Sequence, residues 1–265
     1  MLFLRSAWRL FAIALATAFS AIGMAISALI TRKHSPARCR CHAFWVGLWS
    51  RNCIRALNIR VHVEGEPPPH PFLMASNHLS YLDIIVLWCG VDCQFLSKAD
   101  VARWPIFGKC AQIAGTLFVD RTKRTDLPRV QAEAKQVLDS GYGVIFFPEG
   151  TSSPGAEVMA FKGSLFQIAI DQNMPVHTAC LHYSTPNNQP PAFETVCWWG
   201  DMAFFPHLLK LVKLPSVEAR IRFQPQPVHG ENRKQMASAA REQICTAFEA
   251  VADAPKMVWR GPDTP

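Results

Sequence analysis

The chain has 265 residues, of which 49% are hydrophobic and 18% are charged, and its formal net charge is +7. This length suits one α/β domain with a small appendage, and the composition is too polar for a multi-span membrane protein. The positive charge indicates an anionic partner, and lipid headgroups, nucleic acids and phosphorylated substrates all meet that requirement.

The first predicted element is an uncharged apolar segment from Leu10 to Ile30. About twenty apolar helical residues cross the hydrocarbon core of a bilayer, so residues 1–31 are predicted to be a transmembrane anchor. A cleaved signal peptide and a helix that lies in the membrane surface or is re-entrant are the alternatives. Basic residues are denser after the segment than before it, which predicts that the rest of the chain faces the cytoplasm, with the anchor in the inner membrane if the organism is a bacterium.

Residues 32–63 are predicted to be a basic amphipathic juxtamembrane segment. Within it, AFWVGLWSRNCIRALNIR (Ala43–Arg60) has the mixture of aromatic and arginine residues expected of a helix in the headgroup region, or of a helix packed on the core. The cluster HSPARCRCH (His34–His42) lacks the second half of a zinc pattern, so no metal site is predicted. The nine scattered cysteines indicate reduced thiols on the cytosolic side.

A proline-rich linker, Glu64–Phe72, leads into the predicted main domain, residues 64–255, and a loose tail, residues 256–265, follows that domain. Helices are predicted around Leu127–Gly141, Phe161–Gln172 and Glu231–Ala252. Short apolar runs predict buried strands at PFLMAS, CQFLS, GTLFVD, GVIFFP, VHTACLHY, AFETVCWW and EARIRF. This alternation predicts the α/β class, with a sheet flanked by helices.

Polar residues follow three of the predicted strands, where the chemistry of an α/β sheet gathers. These residues are Asn77, His78 and Asp83 after the first run, Asp120 and Arg121 after the third, and Pro148, Glu149, Gly150 and Thr151 after the fourth.

A spacing of five lets His78 meet Asp83 only if His78 lies in the turn and Asp83 in the first turn of a helix. Ser80 fits that arrangement as an N-cap, with Asp83 completing a capping box. A neutral imidazole held by a carboxylate is the usual general base. A hydrogen-bonded core histidine and a purely structural cap are the competing interpretations.

Two further features suggest an anion site. Arg121 could clamp a phosphate with its planar guanidinium or form a surface ion pair. PEGTSS offers backbone N–H groups and hydroxyls, with Lys162 and Gly163 close behind. The serine-hydrolase pattern G-x-S-x-G does not occur.

Between about Phe72 and Tyr183 the chain resembles the lysophosphatidic acid acyltransferases, the 1-acyl-sn-glycerol-3-phosphate acyltransferases. Its N-H-x-x-x-x-D block is Asn77–Asp83, its G-x-x-F-x-x-R block is Gly115–Arg121, and its F-P-E-G-T block is Phe147–Thr151. The resemblance implies a mixed sheet of the glycerolipid acyltransferase type, with His78 as the base and Asp83 orienting it. Substrate contacts are expected from Asn77, Arg121, Glu149, Gly150, Thr151 and Lys162.

The implied reaction moves an acyl chain from acyl-CoA or acyl carrier protein to the sn-2 hydroxyl of lysophosphatidate. It needs no metal or other cofactor, and the implied partners are the lyso-lipid, the thioester donor and an anionic membrane surface, not a nucleic acid. Ser152 stands where the third block often continues into arginine, and MPVHTA (Met174–Ala179) lacks the final proline of a fourth block. Another lyso-lipid acceptor, such as lyso-ornithine lipid, therefore stays open. A lipid hydrolase and a non-catalytic lipid-binding protein are the alternatives from other classes.

Overall fold

A computed structural model describes residues 2–31, 35–103, 107–120 and 126–257. Its strands are β1 Ile59–Glu64, β2 Leu73–Ser76, β3 Cys93–Lys98, β4 Leu117–Val119, β5 Gly143–Phe146, β6 Val176–Ser184 and β7 Val217–Phe223. Its α-helices are α1 Leu2–Ile30, α2 Pro36–Leu57, α3 Leu82–Gly90, α4 Phe107–Ile113, α5 Asp126–Asp139, α6 Gln167–Asp171, α7 Ala192–Thr195, α8 Phe204–Leu211 and α9 Arg233–Ala247.

The described strands form one mixed sheet in the order β1-β7-β6-β2-β5-β3-β4. Neighbouring strands are parallel except β6 and β7, which run antiparallel. Strands β2 and β5 lie inside the sheet and are buried along their whole length, which explains why their sequences are continuous apolar runs without alternation. The mixed α/β sheet predicted from the sequence is confirmed.

Helices cover both faces of the sheet. Helices α2 and α3 contribute to one apolar cluster, together with Phe72, Ile145 and Leu181. Helix α5 contributes to the cluster on the other face through Val130, Ala134, Val137 and Leu138, the residues that its sequence pattern places on one side.

Six of the seven predicted strands are present, and one prediction is wrong. The run AFETVCWW (Ala192–Trp199) forms the short helix α7 and an irregular segment, not a strand. Pro191 precedes the helix, and the N–H groups of Val196 and Cys197 both donate to the carbonyl of Ala192 at 2.8 Å. The backbone groups are therefore satisfied within one helical turn, and β-forming side chains alone do not make a strand.

Helix α2 packs on the protein core, which decides between the two interpretations of Ala43–Arg60. Ser35 caps its N-terminus by accepting from the N–H of Arg38 at 3.2 Å, and Asn58 ends it in the left-handed conformation. Strand β1, which the sequence analysis did not predict, follows at once and pairs with the predicted strand β7. Residues 59–63 therefore extend the sheet.

Helix α1 has the length and apolar composition of a membrane-spanning helix. One side of α1 packs against α2. The side facing α2 is made of small and polar residues, including Ala16, Ser20 and Gly23, and Trp49 of α2 donates to Thr17 at 2.9 Å. The opposite side exposes a row of large apolar side chains, which are Leu4, Trp8, Phe11, Leu15, Phe19, Ile22, Ile26 and Leu29.

The N-terminal half of α1 is attached to the domain by hydrogen bonds from two arginine side chains. The buried guanidinium of Arg9 donates to the carbonyls of Val212 at 3.1 Å, Pro215 at 3.0 Å and also Leu214. Arg5 donates to the carbonyl of Lys213. Four successive carbonyls thus accept hydrogen bonds from charged donors, which are stronger than neutral ones.

Replacing Arg9 by alanine should loosen this attachment. We expect a loss of about 3 kcal/mol in the free energy of unfolding, because charged hydrogen bonds are removed and buried carbonyls lose their donors. The thermal midpoint in detergent should fall by roughly 5–10 °C. Arg60→Ala is the matched control: Arg60 forms an exposed ion pair with Glu218 at 3.0 Å, and its loss should change stability by less than about 1 kcal/mol. Equal effects of the two variants would contradict this account of Arg9.

Candidate active site

The carboxyl ends of β2 and β5 bring two of the sequence blocks together. These strands are parallel neighbours, with Ala75 beside Phe146, so the segments that follow them emerge at the same edge of the sheet. The N–H of Ser153 donates to the carbonyl of His78 at 2.9 Å, which ties the two segments to each other.

His78 and Asp83 form a direct hydrogen bond. His78 lies in the turn after β2 and Asp83 in the first turn of α3, and His78 Nδ1 is 2.6 Å from Asp83 Oδ2. Because a carboxylate oxygen only accepts, Nδ1 carries the proton and Nε2 is the nitrogen able to accept another. The His78 side chain is 21% exposed, so a substrate hydroxyl can approach the ring.

The Asp83 carboxylate is fully buried and accepts four hydrogen bonds. Besides His78, Oδ2 accepts from the N–H groups of Leu79 at 2.7 Å and Ser80 at 3.0 Å. Oδ1 accepts from the Tyr183 hydroxyl of β6 at 2.8 Å. A buried carboxylate is tolerated only with such compensation, and the donors fix its orientation toward His78.

The predicted capping box at this helix is half formed. Asp83 accepts from the N–H of Ser80, as the box requires. The Ser80 hydroxyl, however, donates to the carbonyl of Val196 at 2.6 Å and lies 3.3 Å from the N–H of Leu82. Ser80 therefore joins the turn to the segment after α7, which the capping pattern alone did not indicate.

Phe147 fixes the plane of the His78 ring. The two rings are stacked with centroids 4.1 Å apart and an interplanar angle of 14°, and Phe95 stacks in turn on Phe147 at 5.8 Å. One face of the imidazole is thus covered by an aromatic side chain.

Glu149 is hydrogen-bonded to the backbone of the turn that carries His78. Its Oε1 accepts from the backbone N–H of His78 at 2.9 Å, and its Oε2 lies 3.4 Å from the N–H of Met159. Burial raises the pKa of Glu149 to about 8, although these backbone hydrogen bonds act in the opposite direction.

Comparisons with known proteins agree with this geometry. The model of the family described as Acyltransferase matches residues 58–182. A lyso-ornithine lipid O-acyltransferase of Rhodobacter capsulatus is 33% identical over 202 residues, which are 73% of this chain and 72% of that protein. A 1-acyl-sn-glycerol-3-phosphate acyltransferase of Neisseria meningitidis is 32% identical over 65% of this chain and 68% of that protein. The chain belongs to the lysophosphatidic acid acyltransferase family.

Two further relatives extend the coverage of this acyltransferase. A lyso-ornithine lipid O-acyltransferase of Pseudomonas aeruginosa is 31% identical over 88% of this chain and 90% of that protein. The crystal structure of the 1-acyl-sn-glycerophosphate acyltransferase of Thermotoga maritima superposes with a TM-score of 0.64 at 19% identity, covering 91% of this chain and 94% of that one. At that identity the likeness shows the shared fold.

The other predicted site residues of the acyltransferase that the structure describes lie around the same edge of the sheet, but in different settings. Asn77 is buried and exchanges two hydrogen bonds with the backbone of Leu181, at 2.7 and 2.9 Å. Gly150 has a φ of +78° and closes a turn onto the carbonyl of Phe147. Thr151 is half-buried beside it.

Lys162 is placed next to the third block by its backbone, because its N–H donates to the carbonyl of Pro148 at 2.9 Å. Arg121 lies outside the described residues. Asn77 and Glu149 have their side-chain polar atoms directed at backbone groups, a geometry that favours support of the turn. Their substrate contacts, and those of the other four residues, stay predictions.

Tyr183 and Phe147 are the two residues of the acyltransferase site whose roles the sequence did not reveal. Phe147 stands in the F-P-E-G-T block, where its stacking partner could not be recognised. Tyr183 follows Leu181 by two residues on β6, and side chains two residues apart on a strand point to the same face of the sheet. Tyr183 therefore lies on the same face as Leu181, whose backbone is hydrogen-bonded to Asn77.

No group of three His, Cys, Asp or Glu side chains suited to a metal ion occurs in the part of the acyltransferase that the structure describes. Within the cysteine-rich cluster, His42 has its ring nitrogens on the Tyr142 hydroxyl and the carbonyl of Ala114. His34 of that cluster lies outside the described residues.

The Tyr183 hydroxyl can be removed without removing the ring. Tyr183→Phe should lower turnover by roughly tenfold, because a buried oxygen of Asp83 loses its donor. The KM for the acceptor should stay nearly unchanged, because the fully buried Tyr183 side chain has no surface that a substrate could contact.

Tyr142→Phe is the matched control, since the buried Tyr142 hydroxyl contacts His42 at 3.1 Å and not Asp83. A fall in turnover in both variants, or in neither, would contradict the positioning role of Tyr183.

The raised pKa of Glu149 predicts a pH-dependent stability. The folded protein keeps the proton up to about pH 8, whereas an unfolded glutamate loses it near its ordinary pKa of about 4.3. The contribution of Glu149 is therefore present at low pH and is lost as pH rises toward 8. Glu149→Gln should lack this loss. The difference between the thermal midpoint of the native protein and that of the variant should therefore decrease as the pH is raised from 5 to 8. A constant difference would show that Glu149 is ionised throughout.

Proposed function

We propose that this acyltransferase moves an acyl chain from a thioester to the sn-2 hydroxyl of lysophosphatidate, giving phosphatidate, with His78 as general base. The observation that carries the proposal is the short contact between His78 Nδ1 and the buried Asp83 carboxylate. It leaves Nε2 free to take a proton, in a ring whose position is held by Asp83, Phe147 and the backbone contact from Glu149.

The reaction needs one proton to be moved twice. Nε2 of His78 takes the proton of the acceptor hydroxyl while that oxygen attacks the carbonyl carbon of the thioester. The tetrahedral intermediate collapses, the carbon–sulfur bond breaks, and the imidazolium returns the proton to the leaving thiolate. Asp83 keeps the Nδ1 proton throughout and stabilises the transient positive charge. This sequence requires no covalent acyl-enzyme and no metal or redox cofactor.

The lysophosphatidate acceptor is supported by the three sequence blocks and by the relatives that bear that name. Arg121 would hold its phosphate, with Gly150, Thr151 and Lys162 nearby. Either acyl-CoA or acyl carrier protein would supply the thioester.

Lyso-ornithine lipid is the second candidate acceptor. Ser152 stands where related sequences often have an arginine, and its hydroxyl donates to the carbonyl of Trp198 instead of adding a cation to the site. A relative named for that reaction is similar over 88% of the chain.

Membrane attachment through α1 fits a lipid substrate. The exposed apolar side of α1 would lie in the bilayer, and the basic residues after it would keep the catalytic domain on the cytoplasmic side. The net charge of +7 would favour an anionic membrane surface.

Labelled oleoyl-CoA tests the proposal when both acceptors are offered in parallel in membranes. His78→Ala should lower acyl transfer by about 10²- to 10⁴-fold, the usual contribution of a general base, while the protein still unfolds in a cooperative thermal transition. His62→Ala is the control, because His62 is exposed on β1 and pairs with Glu218. Nearly full activity of His78→Ala would contradict the assignment.

The products separate the alternatives. Labelled phosphatidate supports the first acceptor and labelled ornithine lipid the second. Free fatty acid released without a thioester would indicate a hydrolase. If neither acceptor is labelled, the same assay with an acyl carrier protein donor follows, and failure there would favour a non-catalytic lipid-binding role.

A further inference from the structure

Helix α8 carries an exposed apolar side that the proposed reaction does not use. Phe205 is 66% exposed and Leu209 is 47% exposed, and a spacing of four residues places them side by side on the helix. We name this pair the α8 face. Exposed aromatic and leucine side chains on one side of a helix are typical of a surface that contacts a partner or a membrane.

The inner side of α8 is attached to the catalytic turn. The buried His207 donates from Nε2 to the carbonyl of Cys197 at 2.9 Å, so its Nδ1 accepts from the Tyr81 hydroxyl at 3.0 Å. Phe204 packs against Tyr81 with ring centroids 5.0 Å apart. Tyr81 lies between His78 and Asp83 in sequence, so α8 is connected to the reacting group through one side chain.

The far end of α8 is attached to α1. Val212 follows α8 directly, and its carbonyl accepts from Arg9 of α1 at 3.1 Å. The first turns of α1 expose Leu4 and Trp8 close to this attachment. The apolar side of α1 and the α8 face are therefore joined by a buried arginine.

The charges around the α8 face suit an anionic lipid surface. Lys210 and Lys213 are exposed at its C-terminal end, and Asp201 is the acidic residue between positions 200 and 213. Basic residues beside an apolar helical side favour the headgroup region of anionic membranes.

From these contacts we infer that the α8 face is a second membrane-binding surface, which enters the same leaflet as α1. The inference rests on the membrane attachment and lipid acceptor of the proposed function. It adds that the bilayer touches the protein beside Tyr81, so a lyso-lipid reaches His78 by moving along α8 without leaving the membrane.

Photo-crosslinking tests this surface without using activity. The full chain with p-benzoylphenylalanine at position 205 is reconstituted in vesicles of phosphatidylcholine and phosphatidylglycerol and irradiated, and lipid adducts are measured by mass spectrometry. The same probe at Phe11 reports on α1. The probe at Val63 is the control, since Val63 is 48% exposed on the edge strand β1 and belongs to neither surface.

Lipid adducts at positions 205 and 11 but not 63 support the inference. Adducts at position 11 alone overturn it and leave the attachment through α1 intact. If position 205 gives no more adduct than position 63, the α8 face has no selective contact with lipid. Absence of adducts at all three positions overturns the attachment through α1 together with the α8 face.

A matched pair of substitutions gives a second test. Leu209→Ser and Val63→Ser remove side chains of nearly equal exposure, 47% and 48%. Leu209→Ser should weaken partition into the same vesicles by roughly tenfold, since partial burial of a leucine contributes about 1.4 kcal/mol, whereas Val63→Ser should not. Acyl transfer to a water-soluble short-chain acceptor should be unchanged in both. Equal partition of the two variants overturns the inference.

Discussion

The site is built around the buried carboxylate of Asp83, and much of the surrounding structure serves to satisfy it. A carboxylate out of contact with water is costly unless its oxygens are hydrogen-bonded. Its donors come from the turn after β2, from the catalytic histidine of the proposed mechanism and from β6. The position of the base is therefore determined by the same contacts that join α3 to the sheet. A change that disturbs this pairing of turn and strand would disturb the chemistry even when it lies far from the substrate.

Two carboxyl groups hold His78 in different ways. Asp83 binds the ring, whereas Glu149 binds the backbone N–H of the same residue. Burial is the main cause of the raised pKa of Glu149, and the nearby charge of Asp83 adds to it. The structure thus separates one carboxylate surrounded by donors from one carboxyl group that keeps its proton. Such separation of two acidic groups by their surroundings is common where one must remain charged.

The sequence predicted the interior of the sheet better than its borders. Buried strands such as β2 and β5 are continuous apolar runs and were recognised, whereas β1, with the sequence IRVHVE, is an edge strand whose polar residues resemble the basic segment before it. The run AFETVCWW has β-forming residues, but the prolines before it and the local hydrogen bonds favour a helical turn. Motif spacing predicted the contact of His78 with Asp83. Tyr183 could not be predicted, because it is 100 residues from Asp83 and their contact depends on the register of β6 beside β2.

The attachment of Arg9 to residues 212–215 has a consequence for biosynthesis. The donor and its acceptors are 203 to 206 residues apart in the chain. At the usual rate of about 5–20 residues per second, Arg9 is synthesised roughly 10–40 s before the carbonyls that receive its guanidinium. During that interval the Arg9 guanidinium lacks the carbonyls that it binds in the folded protein, and the apolar side of α1 is exposed. Under the proposed membrane attachment, the apolar side of α1 would reach the bilayer first, and the rest of the domain would then assemble against a helix already in place.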